Sequence, residues 1–293
     1  MIHRFYRVAD HVFEIVLMQD ADEALMPSYV PFALSEKQEP LFRISVDDTF
    51  KFEDDLEEIG QFDCGGCNHG VYRTASDGYR FEISNVSDRI CAVVETNRDF
   101  TENKVALLTD QASDRAFGLN NAIMIVYAFA TAAYGTLLIH ASVIRNSGKG
   151  FLFLGVSGTG KSTHSRLWLN YIPGSDLMND DNPVVRLLEH QVVVYGSPWS
   201  GKTPCYRNIQ APIGAFVRLE QKKENVIRKE STLYAFAHLL SSVSTMKWDR
   251  EVYNQICSTI SGILALIPVY HLGCLPDEAA AKLSYETISG HDD

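Results

Sequence analysis

The sequence predicts an α/β protein in two parts, a phosphate-loop domain over residues 113–293 preceded by a smaller β-rich domain over 1–112. Three observations lead there. Gly155-Val156-Ser157-Gly158-Thr159-Gly160-Lys161-Ser162 fits the pattern G-x-x-x-x-G-K-[ST], with the apolar run Phe151 to Leu154 before it and helical periodicity after it. The first 110 residues carry strand-length apolar runs at 12–17, 41–46, 79–83 and 90–94, with turn-forming residues between them. The composition then changes near 110–117, where Thr109 to Asp114 is polar and an apolar stretch follows.

Each residue type in the loop answers a physical need. The glycines Gly155, Gly158 and Gly160 let the backbone curl so that N–H groups, including those near Ser157, Thr159 and Thr163, converge on one anion. A helix starting at the loop adds its positive end to the same phosphates. Lys161 can reach the β- and γ-phosphates, and the Ser162 hydroxyl can join the coordination of Mg²⁺. ATP or GTP and Mg²⁺ are therefore the expected ligands. A second stretch, Gly196 to Thr203, fits the same pattern. Pro198 and Trp199 lie inside it and Pro204 follows it, so it lacks the helix that a phosphate site requires. The loop from Pro198 to Asn208 is expected either to use Trp199, Lys202 and Arg207 as a lid or substrate contact or to be an ordinary surface connection with the Trp packed underneath.

Bulk properties narrow the function classes. At 46% hydrophobic and 22% charged residues the composition is that of a globular protein. A net charge of −11 leaves no excess of cations to displace counterions, so a nucleic-acid partner is not expected. The first residues lack a secretory apolar core, and six scattered cysteines fit a reducing, cytoplasmic setting. Residues 122–139 carry no charge, but Gly135 interrupts them, so a buried helix and strand are expected rather than a membrane span.

Along the N-terminal part, the acidic run from Glu53 to Glu58 reads as a solvated face. Cys64-Gly65-Gly66-Cys67, with His69 behind it, reads as a hairpin turn, because no second cysteine pair completes a zinc site. In the second part the pattern predicts a helix over 119–134, a strand over 136–144 and a turn at 146–150 leading into the loop strand. Asp180-Asp181 follows about twenty residues after the loop. Paired acids there suit Mg²⁺-dependent phosphoryl transfer, one holding the metal and one taking a proton from an attacking hydroxyl. A hairpin over 184–195, a strand at 215–219, helices at 233–240 and 252–267, a strand at 268–272 and a last helix opening at Pro276 complete the chain.

With Leu137-Leu138-Ile139-His140-Ala141-Ser142, the loop from Gly155 to Thr163 and the pair Asp180-Asp181 in that order, residues 117–290 resemble the HPr serine kinase/phosphorylase family, whose fold is related to phosphoenolpyruvate carboxykinases. The resemblance implies a phosphate-loop domain with a mixed sheet. It implies Lys161 and Ser162 as phosphate and metal ligands, Asp180 as the base, Asp181 on the metal and His140 beside the base. It implies an ATP-dependent kinase acting on a hydroxyl of a peptide, protein or small molecule, and a homo-oligomer. His140-Ala141-Ser142 stands where the family has His-Gly-Val, and the family's Glu-Ile-Arg-Gly stretch is missing between Arg207 and Arg218, which marks a divergent relative. A nucleotide-binding sensor without efficient turnover is the alternative.

Overall fold

The computed structural model describes residues 1–63, 67–201 and 203–290. The chain is a mixed α/β protein with two mixed sheets, and it divides into two compact units, Met1–Thr131 and Ala132–Asp293.

The first unit holds nine strands among the described residues: β1 (Ile2–Val8), β2 (His11–Leu17), β3 (Ala33–Leu34), β4 (Phe42–Val46), β5 (Leu56–Asp63), β6 (Asn68–Thr74), β7 (Tyr79–Ser84), β8 (Ile90–Thr96) and β9 (Glu102–Leu107). They lie in the order β3-β1-β2-β4-β9-β8-β7-β6-β5, with β4 parallel to both of its neighbours. The helix α1 (Ala112–Ala130) covers one face. Its Phe129 lies against Phe81 and Phe100, and its Tyr127 hydroxyl donates to the Val8 carbonyl at 3.0 Å. Arg115, near the start of α1, pairs with Asp22 and Asp48, each at 2.8 Å.

Several elements here differ from the sequence expectation. Strands β5 and β6 show little apolar alternation, so periodicity did not reveal them. Glu57 and Glu58 belong to the edge strand β5 and, with Asp54 and Asp55, are exposed, as the expected solvated face requires, while the Glu53 carboxylate accepts from Ser76. Cys64 lies outside the described residues, while Asp63 and Asn68 are register partners and Cys67 and His69 are buried. The helix begins at Ala112 rather than 119 and stops at Ala130, with residues 132–134 in a 3₁₀ turn. The composition change near 110–117 therefore marks the start of α1, and the division between units falls after Thr131. The charge-free run ends in this helix, turn and strand, and no described helix is long and apolar enough to cross a membrane.

The second unit contains β10 (Thr136–Leu138), β11 (Ala141–Asn146), β12 (Lys149–Leu154), α2 (Lys161–Tyr171), β13 (Asp176–Asp181), β14 (Val184–Leu187), β15 (Val192–Tyr195), β16 (Gln210–Gln221), β17 (Val226–Lys229), α3 (Thr232–Leu240), α4 (Arg250–Leu266), β18 (Val269–Cys274) and α5 (Glu278–Ser289). The strand order is β10-β14-β15-β16-β12-β11-β13, with β18 on β16 and β17 on β18. The long strand β16 pairs antiparallel with β15 at its start and parallel with β12 and β18 beyond. The expected strand over 136–144 is broken at Ile139-His140, because β10 pairs with β14 whereas β11 pairs with β12 and β13. Asp176 to Asp181 forms a strand that ends on the paired acids. Pro276 precedes the helix cap, and the Asp277 carboxylate accepts from the Ala280 N–H at 2.9 Å.

One face of this sheet buries Phe151, Phe153, Val217, Leu219 and Leu272 under α2 and α5. Trp168 of α2 is fully buried there and donates to the Ser284 hydroxyl at 2.9 Å. His164, one turn earlier, lies 3.0 Å from the same hydroxyl and edge-on to Phe153. Burial pushes its imidazole down to about 4. The folded state thus holds His164 neutral while the unfolded chain takes up a proton below its ordinary value of 6.5. Its contribution to stability is complete above pH 6.5 and declines as pH falls toward 4, by about 1.4 kcal/mol per unit. Denaturant midpoints between pH 7 and 4.5 should show this decline, with a shallower slope in His164→Gln. Equal slopes in the two proteins would remove the assignment.

Candidate active site

The loop after β12 is shaped by backbone conformations that side chains disfavour. Gly155, Gly158 and Gly160 have φ of 152°, 82° and 108°. Gly160 is also the residue before α2, so its left-handed turn aims the first N–H groups of the helix into the loop. Thr159 braces the turn through its hydroxyl and N–H, both donating to the Val156 carbonyl at 2.7 and 3.1 Å. From the end of β16, the Gln221 amide donates to the carbonyls of Gly158 and Thr159 at 3.2 and 3.3 Å.

Lys161 is 8% exposed and its ammonium donates to the Gly155 carbonyl at 2.8 Å. Burial pulls its pKa below the ordinary lysine value, against the attraction of Asp181 and Asp180. The Ser162 hydroxyl donates to Asp180 Oδ1 at 2.9 Å, and Asp180 is 4% exposed. His140 Nδ1 stands 3.5 Å from Asp181 Oδ1. Burial, then the Lys161 cation, hold the His140 imidazole below its usual value, while Asp181 and Asp180 oppose the shift. The sequence-predicted residues Lys161, Ser162, Asp180, Asp181 and His140 thus belong to one electrostatic neighbourhood at the carboxyl end of β12.

The two acids do different things. Asp180 pairs across the sheet with Ser142, whose hydroxyl lies 2.6 Å from that of Ser165 on α2, so Asp180 faces the loop helix. Asp181 pairs with Ala141 and faces the other side, beside His140. Its backbone φ of 148° is strained for a residue with a Cβ. Neighbouring bonds hold it there. Asn182 donates to Asp181 Oδ2 at 3.0 Å, Gly201 N–H donates to the Asp180 carbonyl at 2.6 Å, and Ser200 bridges to Asp181. Asn179 and Ser197, both fully buried, tie the turn to the following segment through the Trp199 and Asn182 carbonyls.

The second phosphate-loop pattern takes a different shape. No helix follows it, and Gly196 lacks a side chain because a Cβ there would meet the Arg207 carbonyl at 2.0 Å. Trp199 is 1% exposed, so its ring is packing rather than a lid. Arg207 pairs with Asp176 at 2.7 Å, beside Arg145, five residues along β13 and roughly 16 Å from Asp181 at strand spacing. Lys202 lies outside the described residues. Sequence reasoning overlooked Asn179, Ser197 and Gln221, since a buried Asn or a strand-end Gln carries no pattern of its own.

Among the described residues no group of three or more His, Cys, Asp or Glu could hold a metal ion alone. The oxygen donors of Ser162 and Asp180, which share one face of β13, are nevertheless of the kind Mg²⁺ takes, with water or phosphate oxygens in the rest of its shell.

No family model matches the chain, and no curated protein matches it. Among solved structures, the Hpr(Ser) kinase/phosphatase from Coxiella burnetii is similar at a TM-score of 0.32 and 14% identity, over 53% of this chain and 95% of that one. That likeness assigns no residue a role.

The strain at Asp181 has a measurable consequence. Asp181→Gly relieves the backbone and Asp181→Asn keeps it, so the glycine variant should be the more stable of the two by about 1 kcal/mol. Urea midpoints would report the difference, and an asparagine variant as stable as the glycine one would show that Asp181 is unstrained.

Proposed function

We propose that this chain is a Mg²⁺-dependent phosphotransferase that moves the γ-phosphoryl group of ATP or GTP to a hydroxyl acceptor. The observation that supports the reading is the 2.9 Å bond from Ser162 to Asp180, made next to the glycine turn and to a buried Lys161 whose charge is attracted by both acids. Lys161 would leave the Gly155 carbonyl for the phosphates and counter the charge that builds on them during transfer. Ser162 and Asp180 would hold Mg²⁺, whose charge would offset the negative charge of the phosphates there.

The geometry favours exchanging the roles expected for the two acids. Asp180 shares the α2 face with Ser162 and is the better placed metal ligand. Asp181, on the opposite face, is the more accessible carboxylate and has His140 to orient it, which suits a proton acceptor for the incoming hydroxyl. Nucleotide affinity by calorimetry and phosphoryl transfer from labelled ATP into cell extract separate the roles. Asp180→Asn should weaken Mg²⁺-dependent nucleotide binding. Asp181→Asn should leave affinity near wild type and lower transfer by about 10²-fold or more. A wild-type protein that binds no nucleotide in the presence of Mg²⁺ would end this reading, and unchanged transfer in Asp181→Asn would end the base role.

A further inference from the structure

The sheet register carries the site further than its first five residues. Asp181 pairs with Ala141, Ala141 with Leu154, Leu154 with Arg218, and Arg218 with His271. Residues directly opposite one another share a face, so this single row sets Asp181 and Arg218 on the side of the sheet away from α2. They are three strands apart, about 14 Å between Cα positions at ordinary strand spacing. Arg218 sits beside the residue from which the phosphate loop departs. In parallel sheets that end of the strands is where ligands bind.

Arg218 is only partly exposed, and among the described residues no hydrogen bond or ion pair satisfies its guanidinium. The charge it acts on is His238 of α3, whose imidazole is held below its usual value by burial first and by Arg218 next. The carboxylates nearby are engaged elsewhere. Glu230 lies 3.8 Å from both His238 and His271, and Glu220 lies 2.8 Å from His271 and 3.4 Å from Lys222. The Arg218 nitrogens still meet solvent, so an anionic ligand would exchange that water for a charge-assisted hydrogen bond. Arg218 also stands apart from the phosphoryl centre, three strands along the row from Asp181. The helix α3 links the two ends. Its Ser242 follower donates to the His238 carbonyl at 2.8 Å, and its own carbonyl accepts from the His140 N–H at 2.7 Å. Ala141 and Leu154 between them are buried, so a ligand reaching both ends passes over the strand termini rather than across the sheet face.

We propose that Arg218 binds the anionic group of a small acceptor molecule, a phosphate or carboxylate carried by the same compound whose hydroxyl lies at Asp181. The inference rests on the phosphotransferase reading and names its substrate class. A small molecule is favoured over a protein segment because Asp181 and Arg218 lie only about 14 Å apart at their Cα positions, a gap that one compound spans once both side chains reach toward it.

The test uses the full chain saturated with Mg²⁺ and ADP, so that the phosphate loop is filled. Matched pairs are titrated into it: glycerol and glycerol 3-phosphate, ribose and ribose 5-phosphate, propanediol and lactate, and a seryl peptide with neutral or acidic flanks. At least one small anionic member should bind while its neutral partner does not. That affinity should fall at least about tenfold in Arg218→Gln, the loss of a charge-assisted hydrogen bond, and recover in part in Arg218→Lys. The phosphate and carboxylate arms tell the two sources apart. Binding of no small anion, equal binding by Arg218→Gln, equal binding of neutral partners, or binding of the acidic peptide alone overturns the proposal. Retained ADP affinity shows that each variant is folded, and a wild type without ADP affinity would fail the phosphotransferase reading instead.

Discussion

The antiparallel pairing of β11 with β13 is the constraint on which the site depends. It sets Ser142 opposite Asp180 and Ala141 opposite Asp181, one strand away from β12 and its loop. Because a strand alternates faces at every residue, two adjacent acids cannot both look at the loop helix. One turns toward Ser162 and the other toward His140. A slip of one residue in this pairing would exchange them. The buried hydroxyl contact between Ser142 and Ser165 pins the register against α2.

Much of the second unit was legible because its signals are local. A glycine turn between an apolar strand and a helix specifies its own backbone, and the loop at 155–162 is where the pattern put it. The break at Ile139-His140 was not legible. Residues 136–144 read as one apolar run, and only the partners, β14 for one half and β11's neighbours for the other, divide it. The N-terminal unit shows the same limit. β5 carries Glu57 and Glu58 on an edge that water can solvate, so its sequence need not alternate.

The candidate site was partly legible for a related reason. Lys161, Ser162 and the acids announce themselves by type and spacing, whereas Asn179 and Ser197 matter through where their neighbours' carbonyls point. Arg218 lies between these cases. It interrupts Phe216-Val217-Leu219, a run on a strand flanked by parallel neighbours on both sides. Such strands are usually apolar throughout, and a cation in one signals a ligand or a partner.

The second phosphate-loop pattern shows why a motif must be judged by what its glycines do. At 155–160 the glycines supply left-handed backbone conformations that side chains disfavour. At 196 and 201 they supply closeness instead. Gly196 lets the Arg207 backbone approach, and Gly201 lets the segment close on Asp180 and Asp181. That closure satisfies the Asp180 carbonyl from outside, through the Gly201 N–H and the Ser200 hydroxyl. The outer edge of β13 is thereby covered, and the strained turn at Asp181 is fixed between a bond from Asn182 on one side and a bridge to Ser200 on the other. A carboxylate held this way keeps its direction without help from a ligand. Lys161 and Ser162, in contrast, spend their hydrogen bonds on Gly155 and Asp180, and phosphates entering the loop would compete for both. The rigid half of the cluster therefore lies on the Asp181 face of the sheet, and Lys161 and Ser162, on the loop side, are the groups whose bonds a ligand could replace.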